Sequence, residues 1–137
     1  LWSTVKSLLD VTKNVHVIRD ATRGGVGTVL YEIASQSGVG IRLDSQAIPV
    51  APEVAGVCGM LGLEPLYLAC EGRLVIFAPR EEADKIVKTL RAGKYSSNAA
   101  VIGEVTEEAR GRVTVRTEVG AETLLPPPGG ELLPRIC

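Results

Sequence analysis

The chain has 137 residues, 45% of them apolar and 23% charged, with 15 basic against 16 acidic side chains. That is the size of one ordinary domain with enough apolar material for a core, and it excludes a disordered protein. A net charge of −1 gives no reason to expect a nucleic-acid or anionic-membrane partner, and no run nears the roughly 20 apolar residues of a membrane span.

No secretory signal is visible, which points to a cytoplasmic protein. The chain opens on Leu1-Trp2 rather than methionine, so a piece of a longer protein is expected. Cys58, Cys70 and Cys137 are an odd set with no CxxC or Cys/His spacing, which argues against a disulfide framework, a structural zinc site or any other metal site. Cys58 reads as a buried small hydrophobe, and Cys70 is expected to pack as well. His16, the lone histidine, lies in a strand-like run and reads as core.

In chain order, Val5, Leu8, Leu9 and Thr12 share one face of an opening helix. His16 to Arg19 reads as a short strand, broken by Asp20-Ala21-Thr22-Arg23-Gly24-Gly25. A helix follows with Val26, Val29, Leu30, Ile33 and Ala34 as its apolar stripe and Gly38 as its stop. Ile41 to Leu43 reads as a strand. Pro52 opens a helix to about Leu61, with Val54, Val57, Cys58 and Leu61 as its expected buried side.

Leu63 to Ala69 is a connector containing Pro65, and it ends in Cys70-Glu71-Gly72. Arg73 to Ala78 is a buried strand stopped by Pro79. Glu81 to Arg91 is a helix with Ala83, Ile86, Val87 and Leu90 inward. Three strands are expected last, Ala100–Val105, Arg112–Thr117 and Glu122–Leu125, with Gly111 at a hairpin-like turn between the first two. Helices and strands intersperse without strict β-α alternation, so an α+β fold with a mixed sheet is favoured over a doubly wound one.

Three stretches carry chemistry. Arg19 to Gly25 sets two arginines, a carboxylate and a Gly-Gly turn at a strand end, directly before a helix N-terminus. Free N–H groups, the helix dipole and Arg23 make an anion site there, with Asp20 orienting an arginine or helping to hold a metal-bound phosphate. The alternative is that Thr22 or Asp20 caps the helix and the glycines merely permit a tight turn. No Walker A pattern is present. Glu71 stands between an apolar connector and a buried strand, where desolvation raises a carboxyl toward a base's working range. The alternative is an exposed turn glutamate.

The third stretch is residues 126–137, PPPGGELLPRIC, unsuited to a helix or central strand. It reads either as an arm carrying a terminal thiol, about 40 Å long when extended, or as a disordered end whose last residue happens to be cysteine. The terminal carboxylate disfavours the Cys137 thiolate, and Arg135 partly offsets that charge. The expected division is therefore residues 1–125 as a domain and 126–137 as a flexible tail.

Together, RDATRGGVGTVLYEIA (19–34), Cys70-Glu71-Gly72 before a strand, and the terminal PRIC resemble the C-terminal half of the HypE family of hydrogenase maturation proteins. That family belongs to the superfamily of aminoimidazole ribonucleotide synthetase and selenophosphate synthetase. The resemblance covers essentially the whole chain, and the terminal PRIC is its specific part. One departure is Ala21, where family members often carry proline.

The resemblance implies a three-layer α/β/α domain with a mixed sheet, like the C-terminal domain of aminoimidazole ribonucleotide synthetase. It implies an ATP-dependent carbamoyl dehydratase. Cys137 receives a carbamoyl group from the carbamoyltransferase HypF, and the S-carboxamide is dehydrated with ATP to a thiocyanate. The cyano group then passes to iron on the HypC–HypD scaffold, as a ligand of the [NiFe] hydrogenase. Glu71 is implied as the base, Cys137 as the carrier and Arg135 as a guide for the tail. Asp20, Thr22, Arg23, Gly24 and Gly25 are implied to line the phosphate end. Most ATP and Mg²⁺ contacts, and a homodimer, are implied for an N-terminal domain without counterpart in these residues. The alternatives are a selenophosphate- or ribonucleotide-synthetase relative with an incidental tail, and a non-catalytic docking domain that merely presents Cys137.

Overall fold

Val26, Val29, Leu30, Ile33 and Ala34 are all buried on one face of α2 (Gly25–Ser37), the helix on which the main core is built. Burying each of the larger ones contributes about 1.5–3 kcal/mol relative to exposure. The helix stops at Gly38, whose left-handed backbone turns its N–H back to the Ala34 carbonyl. The computed structural model describes residues 1–129, so the expectations for Arg135 and Cys137 lie outside the described residues.

Two sheets flank this helix. The smaller is an antiparallel ribbon of β1 (Val17–Asp20) and β3 (Leu74–Phe77), with Val17 opposite Phe77 and Asp20 opposite Leu74. Side chains alternate across it. Val17, Val75 and Phe77 join the α2 core, while Ile18 and Ile76 face Leu8 of α1 (Trp2–Val11) and Ile86 and Leu90 of α4 (Ala83–Arg91). The ribbon thus has helices on both faces, as the expected α/β/α layering requires.

The larger sheet runs β4 (Gly103–Thr106), β2 (Gly40–Asp44), β5 (Val113–Arg116), β6 (Glu122–Leu124). Its central pair is parallel and the outer pairs antiparallel, so the sheet is mixed, and the fold is α+β as expected. Ile41, Leu43 and Val113 point into the α2 core. Arg42 points the other way and bridges Glu104 of β4 and Glu122 of β6 across the outer face.

Four local expectations are corrected. β4 and β5 are not a hairpin, because β2 lies between them. Gly111 does turn the chain, but its N–H binds the Val39 carbonyl and docks that turn on β2. The first of these strands is also shorter than expected, since residues 100–102 form no strand. The expected buried side of α3 (Pro52–Leu61) is largely exposed: only Cys58 is buried, while Val54, Val57 and Leu61 are exposed. His16 is exposed as well, with its backbone N–H bound to the Phe77 carbonyl.

Candidate functional site

The β1–β3 register carries the Arg19–Gly25 loop and the Cys70–Gly72 turn to the same end of the ribbon. Asp20, the last residue of β1, stands opposite Leu74, the first of β3. Beyond that pair the backbone continues to close on itself. The Ala21 N–H donates to the Arg73 carbonyl over 3.0 Å, and the Cys70 N–H donates to the Ala21 carbonyl over 3.3 Å. Two stretches read separately in the sequence are therefore one surface.

Neither expected cap is used by α2. Its N-terminus is Gly24, in the left-handed region, with no side-chain hydrogen bond. The Thr22 hydroxyl instead donates to the Asp20 carboxylate over 2.7 Å. That bond, followed by one from the Asp20 backbone, holds the Asp20 carboxyl below its ordinary range, with Arg19 assisting. Arg19 is committed elsewhere, to Glu32 of α2 at 2.8 Å. Arg23 is exposed and has no ion-pair partner among the described residues. Of the two arginines, Arg23 is the one open to an anion.

Gly25 shows why the loop needs glycine. Its φ is +62°, and a β-carbon there would lie 2.4 Å from the Leu66 carbonyl oxygen and 2.5 Å from that of Leu68. The 3-10 turn Pro65–Tyr67 presses directly on the start of α2. Gly27, in the first turn of the helix, leaves room for the Tyr67 ring in the same way.

Glu71 projects from the turn and is exposed, so this domain does not supply the desolvation expected for it. Gly72 beside it has φ +74° and open space around it, so the turn admits close approach from outside. Cys70 is half-buried and Cys58 buried.

Two residues absent from the sequence reading complete this end of the molecule. The Tyr67 hydroxyl donates to the Pro126 carbonyl and the Tyr31 hydroxyl, from α2, to that of Leu125. Leu125 is 3% exposed, and its N–H extends the sheet by bonding to Val113. Burial, with Tyr31 and Glu64 nearby, pushes the Tyr67 hydroxyl up to about 12, so it remains a donor at neutral pH. No short motif marks an aromatic residue of this kind. Tyr31 flanks the α2 stripe and Tyr67 follows a proline, and nothing local in either pattern points to residues near the chain end.

The site fits a nucleotide only in part. Exposed Arg23 and a helix start without a side-chain cap suit an anionic oxygen. Among the described residues no group of three His, Cys, Asp or Glu side chains could hold a metal ion.

Comparison with known proteins agrees with this architecture. Residues 3–116 match the family described as AIR synthase related protein, C-terminal domain. The carbamoyl dehydratase HypE of Cupriavidus necator is 46% identical over 137 residues, which are 100% of this chain and 39% of that protein. A crystal structure of the hydrogenase maturation protein HypE in complex with ATP superposes with a TM-score of 0.89 at 41% identity, covering 98% of this chain and 42% of that one. A HypE–HypF complex gives a TM-score of 0.87 at 35% identity, covering 92% and 41%. The chain thus spans about two fifths of the length of the curated relatives it matches. It belongs to the family of AIR synthase related C-terminal domains, and it matches the HypE members of that family over its whole length.

Proposed function

We propose that this chain is the part of an ATP-dependent carbamoyl dehydratase that carries the reacting cysteine and the base, in the synthesis of the cyanide ligand of [NiFe] hydrogenase iron. The observation that carries the reading is the convergence of the α2 start, the Cys70–Gly72 turn and the point where residues 125–126 leave the domain. From Pro126, about twelve residues reach up to roughly 40 Å, ample for Cys137 to return to Glu71.

In this reading Cys137 holds the carboxamide as –S–C(=O)NH₂. ATP supplies the phosphoryl group that makes the carboxamide oxygen a leaving group. One N–H proton is lost as the oxygen is phosphorylated and ADP departs; the C–O bond then breaks with the oxygen leaving as phosphate, the second N–H proton is lost, and –S–C≡N remains. Glu71 accepts a proton from the nitrogen, helped by a turn with open space around Gly72. Arg23 and the first N–H groups of α2 meet anionic oxygen, with Gly24 and Gly25 admitting it closely. Asp20, held ionised by Thr22, orients that loop. Arg135 seats the tail against a carboxylate or phosphate.

Further assignments follow from the family resemblance. HypF is the partner that supplies the carbamoyl group in this reading, and a similar solved structure, a HypE–HypF complex, supports HypF as a partner. The HypC–HypD complex receives the cyano group. The full-length protein works in the cytoplasm as a homodimer, taking most of its ATP and Mg²⁺ contacts from residues outside this chain.

Mass spectrometry of the C-terminal peptide, from cells that express the full-length protein and its carbamoyltransferase, tests the reading. A carbamoyl or cyano group on Cys137 is expected, and an unmodified thiol throughout overturns it. Glu71→Gln in the full-length protein should retain the carbamoyl group without dehydrating it. Unchanged dehydration would remove Glu71 as the base.

A further inference from the structure

Leu125 and Pro126 are where the domain ends and the reactive arm begins, and both of their carbonyls are held by tyrosine hydroxyls. Tyr31 reaches Leu125 from α2, and Tyr67 reaches Pro126 from the turn that presses on the start of α2. The two donors come from elements far apart in sequence, and each is fixed by packing. Tyr31 and Tyr67 both lie against the α2 core, and the Tyr67 ring fills the space left by Gly27, where an added β-carbon would stand 2.5 Å from it. The Leu125 side chain is buried in that core, and its N–H is bound to Val113. Pro126 offers no N–H, so its carbonyl is the sole backbone hydrogen-bonding group at that residue, and Tyr67 takes it.

We propose that Tyr31 and Tyr67 are positioning residues, a two-hydroxyl clamp that fixes where the Cys137-bearing arm leaves the domain. The proposal deepens the carbamoyl dehydratase reading and rests on it for its catalytic consequence. A tethered reactant has an effective concentration set by tether length and by where the tether is anchored. Residues 126–137 link Cys137 to that root, so releasing the root lengthens the tether and lowers the fraction of time that Cys137 spends within reach of Glu71. Without the two hydroxyls, residues 125–126 fray from the sheet end and the effective tether lengthens.

The test uses the full-length protein with Tyr31→Phe, Tyr67→Phe and both together. Phenylalanine keeps the rings and removes only the donors. Hydrogen–deuterium exchange of peptides covering residues 121–129 reads the clamp. Single-turnover dehydration of carbamoylated Cys137, measured beside ATP affinity and thermal unfolding, reads its consequence. Faster exchange at the root is expected in both single variants and most in the double one. Dehydration should slow about 1.5-fold in the double variant, as the tether lengthens by a few residues, with ATP affinity unmoved. Unchanged exchange overturns the clamp. Faster exchange with an unchanged dehydration rate overturns its positioning role, as does a rate loss that merely tracks weaker ATP binding. If the double variant fails to fold, the single variants decide on the same readouts. Failure of the dehydratase reading shows itself separately, as a parent protein that never dehydrates its tail, and the exchange measurement still decides whether the clamp exists.

Discussion

The Ala21 N–H donates to the Arg73 carbonyl over 3.0 Å, joining a loop before a helix to a turn before a strand. Proline, which the resembling family often carries at position 21, has no N–H and could not make this bond. Alanine here therefore ties the candidate phosphate loop to the turn that bears Glu71 more directly than proline would.

The two glycines flanking this junction should respond differently to alanine. Gly25→Ala combines a left-handed backbone with two carbonyl oxygens within 2.5 Å of the new methyl. It should cost about 3 kcal/mol of stability by denaturant unfolding. Gly72→Ala meets nothing within 4 Å and bears only the backbone term, about 1 kcal/mol. Equal effects would mean that the Leu66–Leu68 segment does not press on α2.

Thr22→Val removes the hydroxyl that donates to Asp20. The Asp20 carboxyl, held below the ordinary 3.8 chiefly by that bond, should then titrate closer to the ordinary carboxylate range by NMR. The sign follows from linkage. A lowered folded-state value gives stability that is present above 3.8 and lost as pH falls through the folded value, and the variant should lose that acid-side dependence. An unmoved titration would break the assigned pairing.

Tyr67 makes the opposite prediction on the alkaline side. Its hydroxyl is raised from 10.0 to about 12, so its contribution is intact below pH 10 and is lost as pH rises through about 12. Tyr67→Phe should flatten the loss of stability over that window in unfolding curves taken at a series of pH values. A variant as alkali-sensitive as the parent would show that another group governs the window.

The sequence made some of this legible and hid the rest for physical reasons. The α2 stripe stood out because Val26, Val29, Leu30, Ile33 and Ala34 keep helical spacing against polar neighbours. In α3 the spacing put Val54, Val57, Cys58 and Leu61 on one face, yet only Cys58 is buried, because helical periodicity marks an apolar face without saying whether this domain's core covers it. The place of β2 between β4 and β5 depends on pairing between distant residues, which adjacent strand patterns do not encode. The loop at Asp20–Gly25 and the turn at Glu71 were each visible as local breaks in apolar pattern. Their meeting was not, because it follows from the Asp20–Leu74 register. Tyr31 and Tyr67 were missed since their partners are backbone carbonyls of Leu125 and Pro126, which carry no side-chain signature.

ATP–Mg²⁺ titrated into the 137-residue chain by calorimetry should give only weak binding. Exposed Arg23 and an uncapped helix start offer an anion contact, but the described residues hold no carboxylate cluster for the metal. Micromolar affinity would contradict the division of labour between this chain and the rest of a longer protein.

The most direct measurement is the mass of the C-terminal peptide from carbamoylated full-length protein before and after incubation with ATP–Mg²⁺. The account predicts that the peptide loses the mass of one water, with the modification on Cys137 throughout and the loss requiring ATP. A carbamoyl group that persists on Cys137 after ATP is consumed, or a loss of water located on any other residue, would contradict it.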